Sequence, residues 1–195
     1  MKKWIRLSLF VVLALLLAGA GYILITSSYS GDGKIVLLNA GKPYTSFREI
    51  LQQPAFRNKV VYVDIWGTSC LPCFDELKNH TPQLTGRYKT SRDIAFLYIC
   101  IDRHPLPEVR WKNKIRQFQP QGYHVLVEEN EEASLARDII GQTSNGGYFS
   151  YIPYYLIVDK QGRVVTTASA DPEKGELRPS AGNALYSRLD SLRNL

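Results

Sequence analysis

The sequence has few of the side chains that bind metals, with three cysteines and three histidines among its 195 residues. Two of the cysteines lie close together, and a zinc site built on them would need two further ligands. The other candidates are Cys100, His80, His104 and His124, and none of them pairs at a spacing typical of a metal site. We therefore expect neither a metal nor a cofactor, and we expect the histidines to lie on the surface or in loops.

A strong charge bias is also lacking, as are internal repeats and low-complexity tracts. The net charge is +6, and three of the basic residues, Lys2, Lys3 and Arg6, stand at the N-terminus. The rest of the chain has 21 basic against 18 acidic residues, which is a net charge of +3. This balance gives no reason to expect a nucleic acid as partner.

Charged residues are missing altogether from residues 7–31, a run of 25 that is long enough to cross a bilayer as a helix. The basic residues before it favour an N-terminus in the cytoplasm and a domain outside, facing the periplasm. The alternative is a signal peptide cleaved after Ala20, because residues 18–20 have the small-x-small form of a cleavage site. Apolar residues continue past that site, which favours a retained anchor. We assign residues 1–30 to the anchor and the start of a linker, and residues 31–195 to one domain.

Strands and helices alternate along this domain. Two nearly unbroken apolar runs, 59–66 and 93–102, indicate strands buried on both faces of a sheet. Pro82 is expected to kink or restart a helix over residues 70–89, and residues 46–49 have the spacing of a capping box. The remaining predicted elements are strands at 35–38, 123–127, 154–159 and 163–167 and helices at 111–118, 131–140 and 185–192. The alternation, ending in a hairpin and a helix, predicts a three-layer α/β domain.

The two neighbouring cysteines, Cys70 and Cys73, stand where the first buried strand leads into a helix. The first turn of a helix has unpaired N–H groups and the positive end of the helix dipole, which stabilise a thiolate. Pro72 fits this turn because its missing N–H costs nothing there. One thiolate can attack a disulfide and the other can resolve the product. An inert structural bridge is the alternative, but so short a loop constrains the unfolded chain little.

The stretch VVYVDIWGTSCLPC, followed by FDEL, resembles the active site of membrane-tethered thioredoxin-like proteins of the TlpA/ResA type. The positions that match the family pattern are Trp66, Gly67, Thr68, Cys70, Pro72, Cys73 and Glu76. Ile152 and Pro153 resemble the cis-proline loop of that family. The resemblance covers roughly residues 34–195 and implies a thioredoxin fold. Such a fold has a central mixed β-sheet flanked by helices, here with an N-terminal extension and an insertion after the second core strand.

The resemblance also implies a role for each matched residue. Cys70 is expected to be the exposed nucleophile and Cys73 the more buried resolving thiol. Glu76, one helical turn further on, and Asp64, on the buried strand, are the candidate acid/base groups. Five residues are expected to contact the substrate: Trp66, Ser69, Pro72, Ile152 and Pro153.

Three substitutions depart from the family pattern. Ser69 replaces the usual tryptophan, so the rim of the site is smaller and more polar. Lys78 stands where the family has proline, and Tyr154 stands where threonine is common. Cys100 lies in a predicted buried strand and is expected to behave as a small hydrophobe.

Three activities compete at this stage. The leading one is a thiol-disulfide oxidoreductase outside the cytoplasm, reductive as in cytochrome c maturation, with protein substrates and a membrane thiol donor of electrons. A peroxidase of the peroxiredoxin type would need a proline four residues before a threonine and a single peroxidatic cysteine, and DIWGTSC has no such proline. A copper metallochaperone would need three residues between its cysteines and a distal histidine, and Leu71-Pro72 is one residue short.

Overall fold

The computed structural model describes residues 10–19, 34–38, 43–141, 149, 151–167 and 176–194. Residues 10–19 form one helix, α1, inside the predicted anchor. Within these described ranges, no helix combines the length and the apolar character that a membrane span requires. The rest of the predicted anchor and the start of the linker lie outside the described residues.

Six strands of the described chain form one mixed sheet: β1 (Ile35–Leu37), β2 (Val60–Trp66), β3 (Ile94–Ile101), β4 (Gly122–Val127), β5 (Tyr154–Val158) and β6 (Val164–Thr167). Their order across the sheet is β1-β4-β3-β2-β5-β6. The first four are parallel neighbours, whereas β5 pairs antiparallel with both β2 and β6. Every residue of β2 and β3 is buried, which explains why their sequences are apolar almost throughout, with Asp64 as the exception in β2.

Helices cover both faces of the sheet: α2 (Phe47–Leu51), α3 (Leu71–Asp75), α4 (Thr81–Arg87), α5 (Pro107–Phe118), α6 (Glu129–Ile140) and α7 (Asn183–Arg193). Buried residues of α4, α5 and α7 form one core with one face of the sheet, and those of α2 and α6 form a second core with the opposite face. The predicted three-layer α/β architecture is therefore confirmed. The segment predicted as an insertion supplies α5 and β4, and β4 enters the sheet between β1 and β3.

The helix expected over residues 70–89 is divided into three pieces, as its proline suggested. A turn of π-helix, Glu76–His80, joins α3 to α4, and Pro82 lies in the first turn of α4. The capping box at residues 46–49 is only half formed. The Ser46 side chain accepts a hydrogen bond from the Glu49 backbone N–H at 3.1 Å, but the Glu49 carboxylate accepts from the backbone N–H of Thr45 instead of Ser46.

The expectation that all three histidines are superficial is wrong for His124. This residue lies in β4, is fully buried, and stacks on Tyr98 with ring centroids 4.8 Å apart. Its Nε2–H donates to the backbone oxygen of Pro120 at 2.8 Å. The cause is the position of β4, which is an interior strand of the sheet and not an exposed edge. By contrast, His104 is exposed in the loop after β3.

Candidate active site

The two cysteines form a disulfide at the junction of β2 and α3, with their Cα atoms 5.3 Å apart. Cys70 is the N-cap of α3 and is partly exposed, whereas Cys73 is buried at 1% exposure. The backbone N–H of Cys73 donates to the Cys70 sulfur at 3.2 Å. This donor would stabilise a thiolate on Cys70 once the disulfide is reduced. The predicted difference in exposure between the two sulfurs is present.

The loop before β5 contacts the exposed sulfur. The Ile152–Pro153 peptide bond is cis, as the family resemblance implied, and the Ile152 carbonyl oxygen lies 3.7 Å from Cys70 Sγ. Gly67 packs closely beside this loop, because a Cβ there would lie 2.8 Å from the Ile152 Cδ1 atom and 3.2 Å from the backbone oxygen of Ile101. A larger residue at position 67 would therefore require the Ile152 side chain to move.

Asp64 lies on β2, two residues before Trp66, and is 1% exposed. Its Oδ1 atom has no hydrogen-bond partner in the described part of the chain. Burial raises the pKa of Asp64 well above its usual range, and the nearby charge of Glu76 raises it further. A carboxyl group with a raised pKa keeps its proton at higher pH than an ordinary one and is a stronger base once ionised, and both properties suit a catalytic acid or base.

Glu76 is buried as well, but it has partners. One carboxylate oxygen accepts from the Ser180 hydroxyl at 2.5 Å and the other from the Ser180 backbone N–H at 2.9 Å. Glu76 is therefore not a solvated helix residue. Ser180 lies in the 3-10 turn Pro179–Ala181, and no sequence signal pointed to it.

Four of the five predicted substrate contacts reach the surface around the disulfide. Ser69 and Pro72 are exposed, and Ile152 and Pro153 are partly exposed. The prediction for Trp66 needs correction, because this residue is fully buried and packs in the core. Trp66 is the last residue of β2 and packs in the core that the sheet forms with α4, α5 and α7. It therefore lies away from any surface that a protein substrate contacts. Trp66 supports the site from below.

Cys100, in β3, is a free and fully buried thiol, as predicted. Burial raises the pKa of the Cys100 thiol well above its usual value, so it stays protonated. Among the residues that the structure describes, no three histidine, cysteine or acidic side chains cluster in a way that could hold a metal ion.

The sequence analysis missed a polar cluster beside the cysteines. Asp102 follows β3, is 4% exposed, and accepts hydrogen bonds from Thr68 and from Arg110 of α5. Together with Cys70 it borders a groove of about 590 Å³. One signal was present in the sequence: the carboxyl ends of the parallel strands β2 and β3 meet at one edge of the sheet, where ligand sites commonly form.

The solved structures with a similar fold are thioredoxin-like. A thiol-disulfide oxidoreductase from Bacteroides fragilis NCTC 9343 superposes with a TM-score of 0.50 at 19% identity, covering 73% of this chain and 87% of that one. A thiol:disulfide interchange protein from Bacteroides sp. gives a TM-score of 0.50 at 19% identity, covering 70% and 74%. The architecture is therefore a thioredoxin-like fold, with a cysteine pair at the start of a helix.

No protein-family model matches the chain. It is similar to the thiol-disulfide oxidoreductase ResA of Bacillus cereus (strain ATCC 10987 / NRS 248), at 23% identity over 179 residues, which cover 88% of this chain and 92% of the relative. A protein of the same name from Bacillus thuringiensis subsp. konkukian (strain 97-27) is 22% identical over 179 residues with the same coverage. Fold, cysteine pair and relatives agree, and the chain is a thioredoxin-like thiol-disulfide oxidoreductase.

Proposed function

We propose that this protein reduces disulfides of protein substrates outside the cytoplasm while it is held at the membrane by its N-terminal segment. The observation that carries the proposal is the accessibility of one sulfur of the pair. Cys70 is partly exposed beside the cis-proline loop, and Cys73 is buried behind it. Apocytochromes c, whose cysteines must be reduced before haem attachment, belong to the substrate class that such a reductase would serve.

The chemistry begins with the reduced pair. The Cys70 thiolate attacks one sulfur of the substrate disulfide, the substrate S–S bond breaks, and one substrate cysteine leaves as a thiolate that takes up a proton. A mixed disulfide then joins Cys70 to the other substrate cysteine. Cys73 loses its proton and attacks the Cys70 sulfur, which releases the second substrate thiol. Two electrons have moved to the substrate, and the protein holds the Cys70–Cys73 disulfide seen in the structure.

The proton of Cys73 needs an acceptor in a place that water does not reach freely. Asp64 suits this task, because its raised pKa makes it a stronger base than an ordinary carboxylate. Glu76 is already engaged with Ser180, so we assign it the secondary task of raising the pKa of Asp64 through its charge. A membrane thiol donor would return the pair to its reduced state after each cycle.

Two arguments, one from the sequence and one from disulfide chemistry, support the location. Lys2, Lys3 and Arg6 precede the uncharged run at residues 7–31, the arrangement typical of a segment whose C-terminal side leaves the cytoplasm. Compartments outside the cytoplasm are also where disulfides form and persist, so a disulfide reductase has substrates there.

The proposal is tested by trapping the substrate. In cells that express the full chain with Cys73→Ser, the second step is blocked, and a mixed disulfide between Cys70 and the substrate should accumulate. A matched Cys70→Ser variant should trap nothing. The species is isolated from the fraction outside the cytoplasm on non-reducing gels and identified by mass spectrometry. Trapping by Cys70→Ser alone would reverse the two roles. Failure of both variants, with tight copper binding by the reduced pair, would contradict the proposal.

A further inference from the structure

The side chains beside Cys70 form a connected polar rim, which we define as Ser69, His104 and Arg110. The Arg110 Nη2 atom donates to the Ser69 hydroxyl at 2.9 Å, and the same hydroxyl lies 2.9 Å from His104 Nε2. Ser69 immediately precedes Cys70, so the rim adjoins the sulfur that meets the substrate. Because a tryptophan at position 69 could not accept these hydrogen bonds, the rim depends on the serine in this chain.

Asp102 holds two members of the rim, His104 and Arg110, in place through hydrogen bonds. Its Oδ2 accepts from Arg110 Nε at 3.2 Å and from the Thr68 hydroxyl, and its Oδ1 accepts from the His104 backbone N–H at 2.9 Å. The Arg110 Nε also lies 3.1 Å from Thr68 Oγ1. The guanidinium group is thus held by Thr68 and Ser69, in the segment between β2 and α3, and by Asp102 in the loop after β3. Such a fixed group loses little freedom when it binds a ligand.

The two ion pairs around Cys70 each have a buried carboxylate and an exposed guanidinium group. The Asp102 side chain is 0% exposed, whereas its partner Arg110 is 39% exposed. The ion pair between Arg103 and Glu132 repeats the pattern, because the Glu132 side chain is 1% exposed and that of Arg103 is 49% exposed. A substrate that approaches Cys70 therefore meets guanidinium groups, while the carboxylates lie behind them.

Arg110 has hydrogen-bonding capacity left. A guanidinium group has five N–H donors. The contacts of Arg110 within the described residues engage only Nε and Nη2, so the edge formed by Nη1 and the second N–H of Nη2 has no hydrogen-bond partner among those residues. A planar edge of this kind matches the two oxygens of a carboxylate.

We propose that Arg110 is a specificity-determining residue that binds a carboxylate of the substrate protein next to its reactive cysteine. The preferred substrate is then a cysteine in an acidic segment. This inference rests on the proposed function, since it concerns the partner of the same cysteine pair. A lysine at the same place in a substrate would face Arg110 and be disfavoured.

The test uses three capped peptides that differ only in the residues flanking one cysteine, which are Glu, Gln or Lys. Each cysteine is held as a mixed disulfide with 2-mercaptoethanol, which adds no charge. The reduced full-length protein should release the Glu peptide with a kcat/KM about 3- to 10-fold above that of the Lys peptide at low salt, with the Gln peptide between them. The difference should shrink as salt screens the charges.

The variants assign the preference to Arg110. Arg110→Gln should bring the Glu-to-Lys ratio close to unity, and Arg110→Lys should keep most of it. Since Arg110→Gln leaves the buried Asp102 without its cation, the double variant Asp102→Asn/Arg110→Gln provides a second protein in which the charge is removed without that cost. Arg57→Gln is the matched control, because it removes an exposed arginine at the opposite end of β2.

The outcomes separate the two proposals. Equal rates for all three peptides, or a preference that survives in Arg110→Gln or in the double variant, would overturn the inference while leaving the reductase intact. A loss of preference in Arg57→Gln would assign the effect to overall charge and would also overturn it. Absence of reduction with every peptide would instead contradict the proposed function.

Discussion

Asp64 and Glu76 are both buried and close enough for the charge of Glu76 to act on Asp64, yet their surroundings differ. Glu76 receives two hydrogen bonds from Ser180, whereas the Oδ1 atom of Asp64 has no partner among the described residues. An unpartnered buried carboxylate is costly, so Asp64 holds its proton to a higher pH. Sequence spacing placed both carboxyl groups near the pair, but it could not rank them, because the ranking depends on a serine 104 residues further along the chain.

Replacing the two carboxyl groups should have different effects on the resolving step. Asp64→Asn removes the proton acceptor, so resolution of the mixed disulfide near neutral pH should slow by about 10²-fold. Glu76→Gln removes a charge that raises the pKa of Asp64, so the pH profile of the same step should move to lower pH. Stopped-flow measurement of the release of the second thiol gives both profiles. Unchanged profiles in both variants would exclude Asp64 and Glu76 from proton transfer.

His124 makes the stability of the domain depend on pH. Burial lowers the pKa of His124 to about 4, against an ordinary value of about 6.5 in an unfolded chain. Between these values the unfolded state binds more protons than the folded state, so the free energy of unfolding rises with pH through this window and falls as pH drops. The loss on acidification should amount to about 3 kcal/mol.

The variant His124→Phe isolates this contribution. Phenylalanine keeps the stacking on Tyr98 but does not titrate, at the cost of the hydrogen bond to Pro120. The free energy of unfolding, measured by urea titration, should fall further for the wild type than for the variant as pH drops from about 7 to about 4. A difference that stays constant over this range would show that His124 is not buried in its neutral form.

At the scale of elements, strands and helices were predictable because their periodicity is local. The nearly unbroken apolar runs predicted β2 and β3, and Pro82 predicted the start of α4. The polar cluster at the groove was not predictable, because its contacts join distant segments. Arg110 reaches Thr68 across 42 residues, and Arg103 reaches Glu132 across 29 residues. Such pairs become visible only once the sheet brings the ends of its strands together.

The ion pair between Arg103 and Glu132 joins the loop after β3 to α6. Arg103 donates to the Glu132 carboxylate from Nε at 2.9 Å and from Nη2 at 2.7 Å, and the Phe149 backbone N–H donates to the same carboxylate at 3.3 Å. Glu132 is almost fully buried, whereas Arg103 is half exposed. Removing Arg103 and removing Glu132 should therefore lower the free energy of unfolding by different amounts.

Arg103→Met leaves a buried carboxylate without its cation and should lower the free energy of unfolding by about 3–5 kcal/mol. Glu132→Gln leaves an arginine that can turn to solvent and should cost about 1 kcal/mol. Thermal and denaturant unfolding of the two variants at neutral pH measures both values. Equal costs would mean that Glu132 reaches solvent in the folded protein, and a larger cost for Glu132→Gln would reverse the argument.

For the whole molecule, the proposed location depends on the N-terminal segment. Residues 10–17 include seven large apolar side chains that are more than half exposed in the helix α1: Phe10, Val11, Val12, Leu13, Leu15, Leu16 and Leu17. Exposed apolar surface of this density is costly in water, and a lipid environment would remove the cost. The same run also fits the apolar core of a signal peptide. The segment is then either a retained anchor or a signal peptide cleaved after Ala20.

Fractionation of cells that produce the full chain distinguishes these fates. We expect the protein to stay with membranes through washes with high salt and alkali, because an apolar helix is held by lipid and not by surface charge. The double variant Leu13→Arg/Leu16→Arg should pass into the soluble fraction, since each arginine at the centre of a span costs about 2.5–3.5 kcal/mol. Val61→Ala, a change in the core of the domain, is the control for a general loss of stability. A soluble wild-type protein whose N-terminus is Gly21 would show that a signal peptide is cleaved after Ala20 and that the mature enzyme keeps no anchor.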